Sequence, residues 1–272
     1  MKATWLVAQE YIRRSFTSRL LVLVGVVVLL YILIASCFFG AQIQANGQFF
    51  VGEGQLSLAR TVSYHLAVGW GILFAIMLGM SVVSRPLEDG RSALLFARGL
   101  KRGEVLLGQL LGAWLTALAT VLALALVTTA MHLIRGHIFP VKLWLALAPA
   151  VLAPALAAAL VTFFSMFLPR VVAGMMGILA YAGSFPAAFP QLREFLTGEK
   201  AKILGLPWYV KWGAEAYFAA CPPLAGLQFR GAELLATPAK WGQESWFALG
   251  TAAVYTALAL AATWALYRSR DV

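Results

Sequence analysis

Residues 20–39 read LLVLVGVVVLLYILIASCFF, a run without a single charge. A bilayer's hydrocarbon core is about 30 Å thick, and a helix rising 1.5 Å per residue crosses it in about 20 residues. Leu20 to Phe39 therefore reads as a membrane-spanning helix. Comparable runs recur at residues 62–83, 105–131, 143–168, 171–189 and 246–267. The stretch from 143 to 189 is too long for one crossing. Pro169-Arg170 divides it, because proline disfavours helix continuation and an arginine at mid-membrane is costly. The chain is thus expected to be an all-α polytopic membrane protein. It has six transmembrane helices in one domain, residues 1–272, with a long segment, 191–245, between helices five and six.

Composition agrees. The chain is 61% hydrophobic and 12% charged, whereas a soluble domain is about one quarter charged. The net charge of +10 sits at the ends of apolar runs, where it orients spans and meets lipid headgroups. No basic stripe interleaved with aromatics is present, so no nucleic-acid partner is expected. The two cysteines, Cys37 and Cys221, make no disulfide framework. Ile34-Ala35-Ser36-Cys37 resembles a lipoprotein cleavage box, but the basic stretch ahead of it is long, so an uncleaved span is expected.

Ahead of the first span, Trp5, Ala8, Ile12 and Phe16 recur at helical spacing beside Glu10, Arg13, Arg14 and Arg19. This pattern predicts an amphipathic helix lying in the membrane surface; an ordinary charged flank is the plainer alternative.

Basic residues set the orientation. Lys2, Arg13, Arg14, Arg19, Arg85, Arg91, Arg98, Lys101, Arg102, Arg170, Arg268 and Arg270 fall on one side. The other side's short loops carry only Arg60, Arg135 and Lys142. Both termini are therefore expected in the cytoplasm, and residues 41–61 and 191–245 outside it.

The acidic residues all lie outside the six runs, whereas carriers driven by protons or sodium need ionisable groups or unwound helices near the midplane. His65 and His132 lie near the outer ends of spans and read as structural. His132 and His137 are five apart, which is not metal-ligand spacing on one helical face, so no metal is expected. No serine, cysteine or histidine is placed for nucleophilic catalysis, and no glycine-rich phosphate loop ends in Lys-Ser or Lys-Thr. The chain is not expected to be an enzyme; another chain would supply the energy for any active work. Small residues four apart (Ala75 and Gly79, Gly108 and Gly112, Ala153 and Ala157) predict close helix packing without saying which helices meet.

Residues 84–104 hold the densest charge cluster. Arg85, Arg91, Arg98, Lys101 and Arg102 would serve topology alone. Glu88, Asp89 and the apolar Ala93-Leu94-Leu95-Phe96 are not needed for that, and suit a surface helix docking on a partner.

At this segment the sequence resembles the permease subunits of type-2 ABC exporters. The resemblance rests on Glu88, Gly90, Leu94-Leu95, Arg102 and Leu106-Leu107-Gly108. Glu10 on the amino-terminal helix, Phe164-Ser165-Met166-Phe167 followed by Ala173, and Cys221-Pro222-Pro223-Leu224 extend it. The chain departs from the family at Arg98-Gly99-Leu100, where a proline is common, and at Gln109, where a lysine is common. The resemblance implies a bacterial-type cytoplasmic (inner) membrane. Two permease copies or paralogues would form the core, and separate ABC ATPase subunits would carry ATP and Mg. Glu88, Asp89, Gly90, Arg91, Leu94, Leu95, Arg98, Lys101 and Arg102 would form the coupling segment against that ATPase. Trp5, Glu10, Ile12, Arg13 and Phe16 would belong to the surface helix. Residues 191–245 would partly dip back into the membrane and cap the pathway. The alternative is a membrane anchor or energy-transmitting subunit that uses the same ATPase to drive an extracytoplasmic machine without moving a solute.

Overall fold

The computed structural model describes residues 2–17, 20–40, 43–45, 48–50, 53–88, 100–135, 137–188, 190–198, 207–236 and 243–269. The described residues are almost wholly helical. Helix α1 spans Lys2–Thr17 and α2 spans Leu20–Gly40. A small antiparallel hairpin follows, β1 (Ile43–Ala45) against β2 (Gln48–Phe50), with Ile43 opposite Phe50. Then come α3 (Glu53–Glu88), α4 (Arg102–Ile134), α5 (Val141–Ala150), α6 (Leu152–Phe164) and α7 (Arg170–Ala188). Next are α8 (Pro190–Thr197), α9 (Trp208–Ala220), α10 (Leu224–Ala236) and α11 (Gln243–Ser269).

Among the described residues, five stretches are long and apolar enough to cross a membrane: Leu56–Val83, Arg102–Ile134, Val141–Phe164, Arg170–Ala188 and Trp246–Arg268. Val24–Cys37, inside α2, is a shorter apolar stretch. The observed helices outrun the apolar runs of the sequence. At 36 residues α3 is about 54 Å long, well beyond a hydrocarbon core of about 30 Å. The segment 41–61, expected to be a polar connection, is therefore partly helix from Glu53 onward.

The expected single fourth span, 143–168, is two helices in line. The break lies at Val151, between Pro149 and Pro154. Each proline removes a backbone donor and crowds the preceding turn. Trp114 of α4 meets the break: its indole N–H donates to the Val151 carbonyl at 3.1 Å. The chain then turns through residues 165–169, and α7 starts at Arg170, where Pro169-Arg170 predicts the hairpin.

Close approaches between spans occur where side chains are smallest. A Cβ on Gly79 of α3 would lie 2.9 Å from the Ala158 carbonyl of α6. Ala75, Ala153 and Ala157 are buried in the same core. Backbones brought this close gain dispersion contacts, which drive helix association in lipid where the hydrophobic effect is absent. Buried hydroxyls on α4 are satisfied within their own helix: Thr116, Thr120, Thr128 and Thr129 each donate to the carbonyl four residues back, at 2.8–3.1 Å. A hydroxyl without such a partner would be costly in hydrocarbon.

Candidate functional site

The helical bundle has two ends. One carries the termini of α4 and α11 with α1 alongside; the other receives α10.

At the first end, α1 packs along α4. Gly108 and Gly112 open the groove that holds it. A Cβ on Gly108 would sit 2.7 Å from the Thr4 carbonyl and from Val7 Cβ; one on Gly112 would sit 2.9 Å from Tyr11 Cβ. Val7, Ala8 and Ser15 are buried as a result, and Tyr11 donates its hydroxyl to the Leu78 carbonyl of α3 at 2.9 Å. The buried stripe is thus rotated from the expected one. Ala8 belongs to both, Ile12 is half-buried, and Trp5 remains exposed. The reason is that α1 meets a glycine groove through its backbone and small side chains, which an apolar-periodicity reading ignores. Glu10 and Arg13 are exposed, and Glu10 pairs with Arg14 at 2.8 Å. Between exposed groups this pair contributes little. Phe16 lies in the last turn of α1.

Of the expected coupling segment, Glu88 is the final residue of α3. Asp89, Gly90, Arg91, Leu94, Leu95 and Arg98 lie outside the described residues. Lys101 and Arg102 begin α4, where the Glu104 carboxylate accepts the Lys101 backbone N–H at 3.1 Å. Arg102 reaches across to α11 and donates to the Arg268 carbonyl at 3.5 Å. Trp264 lies beside Gly103, so close that a Cβ there would be 2.9 Å from its indole nitrogen. Residues more than 150 positions apart in the sequence thereby form one pocket of about 370 Å³.

At the other end, α10 inserts into the bundle beside α3, α5 and α7, with Leu224, Ala225, Leu227, Gln228, Leu234 and Leu235 buried. Five features seat it. Tyr181 of α7 donates to Gln228 Oε1 at 2.7 Å. Gln228 Nε2 donates to the His65 carbonyl of α3 at 2.8 Å. The Ala225 N–H, an orphan donor in the first turn of α10, donates to Ser184 Oγ at 2.9 Å, and that hydroxyl donates to the Tyr181 carbonyl at 2.7 Å. Phe229 sits between rings, 5.2 Å from His65 and 5.9 Å from Phe185. Gly231 lets α10 approach Tyr64 and Ala146 closely enough that any Cβ would clash with both.

Just before α10, Cys221 is half-buried and its thiol points to the Gly183 carbonyl at 3.6 Å. Burial pushes this thiol above its usual range, and a hydrogen bond with Tyr217 offsets part of the rise. Helix α9 leaves Trp208, Tyr209 and Trp212 exposed.

His132 and His137 come closer than their spacing implies. The chain turns after α4, the His137 N–H donates to the His132 carbonyl at 3.1 Å, and the rings stand 5.9 Å apart. Among the described residues, no group of three or more histidines, cysteines or carboxylates could hold a metal ion.

Tyr181, Ser184 and Gln228 give little sign of this arrangement in the sequence. Their one signal is the apolar stretch around Gln228, Leu224-Ala225-Gly226-Leu227-Gln228-Phe229, directly after Cys221-Pro222-Pro223. Its length is well below a span's, so it reads as part of the outer loop.

No protein-family model matches the chain, and no curated protein matches it.

Proposed function

We propose that the chain is the membrane-spanning permease subunit of an ATP-driven ABC exporter, energised by a separate ATPase. The observation that carries this reading is the re-entry of α10 between α3, α5 and α7. A loop that returns into the bundle, sealed by neutral groups, suits a cap over a pathway formed between two permease copies. In this reading α2 is the sixth span: it is a helix of 21 residues that follows the amphipathic α1. The excess of basic residues in the short connections of one side supports a reading with both termini in the cytoplasm of a bacterial-type cell and α10 at the outer face. Glu10 is exposed on α1 and Glu104 stands in the first turn of α4, and the side chains that bond α10 are Tyr, Gln and Ser, with the His65 ring packed on Phe229. Neutral groups of this kind suit motion driven from outside the membrane better than ion coupling.

The coupling segment from Glu88 to Arg102 would dock in a groove of the ATPase, with its charges setting orientation and specificity. ATP and Mg would bind the partner only. One observation favours the second reading, an energy-transmitting anchor. The exposed aromatic face of α9, Trp208, Tyr209 and Trp212, would equally serve as a docking surface for an extracytoplasmic machine.

Affinity purification in mild detergent tests the shared premise. An ATPase with a phosphate-binding loop is expected to co-purify, and Glu88→Lys with Arg91→Glu is expected to release it. Failure of any ATPase to co-purify, with activity indifferent to charge reversal, would remove the coupling role.

A further inference from the structure

We propose that α9 lies along the bilayer surface at the α10 end of the bundle, with Trp208, Tyr209 and Trp212 seated in the headgroup layer. The level of that layer is read from α11. Trp246 and Trp264 are 18 residues apart on this helix, which is five full turns, so they stand on one line about 27 Å apart. Both are exposed, at 63% and 46%. A hydrocarbon core is about 30 Å thick, and tryptophans gather at its two edges. Between the pair the exposed residues are Phe247, Val254 and Leu258 with glycine and alanines, none of them polar, so this face meets lipid tails. Trp264 lies beside Gly103 at the start of α4, and Trp246 therefore marks the headgroup layer at the opposite end.

The last turn of α9 is fixed at that same end. A Cβ on Gly183 of α7 would lie 4.0 Å from the Tyr217 hydroxyl, and Cys221, directly after α9, points its thiol to the Gly183 carbonyl at 3.6 Å. Gly183 is five residues from the end of α7, a stretch long and apolar enough to cross a membrane. Trp212 stands five residues before Tyr217, about 8 Å back along the axis, so it stays near that boundary. Trp208, Tyr209 and Trp212 are all exposed, and among the described residues neither indole N–H nor the phenol finds a hydrogen-bond partner. A ring with an apolar body and a polar tip is best placed where one end is dry and the other wet. The two charges on α9, Lys211 and Glu215, stand 3.9 Å apart, so the helix brings no net charge and needs no anionic lipid. Through Cys221-Pro222-Pro223 the bilayer surface thereby braces α10 in its seat. The inference rests on the membrane character of the chain and not on the transporter reading. It leaves the aromatic face of α9 to lipid rather than to an extracytoplasmic machine.

The full-length chain in a Cys37→Ser, Cys221→Ser background, reconstituted in phosphatidylcholine vesicles, supplies the test by fluorescence quenching. One variant carries a bimane label at Ala216→Cys, one turn beyond Trp212 on its exposed side; another carries it at Ala257→Cys, midway between the two tryptophans of α11. The Ala216 label is expected to be quenched more by lipid brominated close to the headgroup than by lipid brominated near the chain end. The Ala257 label is expected to show the reverse order. Trp208→Ser with Tyr209→Ser and Trp212→Ser is expected to abolish quenching at residue 216 and leave that at residue 257 unchanged. The aromatic pair Trp208→Tyr with Trp212→Tyr is expected to keep both. An Ala216 label open to aqueous iodide and untouched by either brominated lipid leaves this face in water and overturns the proposal. A label shielded from iodide yet untouched by the lipids assigns the face to a second copy and overturns it too. So does an Ala257 label without the deep order, because the layer then does not lie where α11 puts it.

Discussion

Tyr64 illustrates how single atoms set the position of α10. Its side chain is fully buried, and its hydroxyl meets no hydrogen-bond partner among the described residues, yet Gly231 is pressed against it. Two opposite outcomes follow. Gly231→Ala places a methyl group against Tyr64 and the Ala146 carbonyl, neither of which is a flexible chain end. Overpacking of this kind costs about 1–3 kcal/mol and is expected to lower the thermal midpoint in detergent. Tyr64→Phe removes a buried unsatisfied hydroxyl and is expected to be neutral or stabilising by up to about 1–3 kcal/mol. It should also recover part of the loss when combined with Gly231→Ala. Thermal unfolding of the two single variants and the pair checks both signs. Cys221, at the entrance to α10, adds a chemical probe. A thiol whose titration is raised holds less thiolate at any given pH, and the thiolate is the nucleophile. In a Cys37→Ser background, alkylation at pH 7 is expected to be slower than for a free thiol, and to rise about tenfold per pH unit beyond the point where a free thiol levels off. A rate that levels off near pH 8 would contradict the burial.

At the scale of elements, glycine placement decides which helices meet. Gly108 and Gly112 satisfy the small-residue spacing seen in membrane dimers, but here they seat α1 of the same chain. Gly108→Leu is expected to expel α1 from the groove and expose the Val7 side, detectable as faster proteolysis within residues 2–17 while the spans stay intact. The sequence pattern reveals that α1 is amphipathic but not which stripe is buried, because a glycine groove recruits backbone and small residues rather than the largest apolar ones. Trp5 shows the cost of reading by size: it is the largest anchor of the stripe and stays exposed. Similarly, Pro149 and Pro154 are visible in the sequence, yet the in-line break at Val151 is not. A proline marks a lost donor but does not say where the helix breaks or which neighbour, such as Trp114 at the Val151 carbonyl, will bond the backbone there.

At the scale of the molecule, long charge-free runs carry enough free energy of transfer to be read directly, and five stretches of the chain fall where those runs predict. What composition and periodicity leave illegible is the fate of the segment between α7 and α11, whose return into the membrane only the family resemblance implies. Helix α10 is 13 residues long and carries Arg230 and Glu233, which pair with each other at 2.8 Å near its end. Neither its length nor its charge distinguishes it from a surface loop; only the surrounding Tyr181, Ser184 and His65 backbone groups show that it is received into the bundle. The proposed cytoplasmic side gains in the same way from assembly. Arg102 and Arg268 look like separate topogenic charges, and folding unites them at one pocket. The central claim, that an external ATPase drives this bundle, is tested most directly by ATP hydrolysis of the co-purified complex reconstituted in lipid. Hydrolysis that falls several-fold when Glu88 and Arg91 are charge-reversed, with the bundle still folded, is the predicted result. Hydrolysis unchanged by the reversal, or no hydrolysing partner at all, would contradict the account.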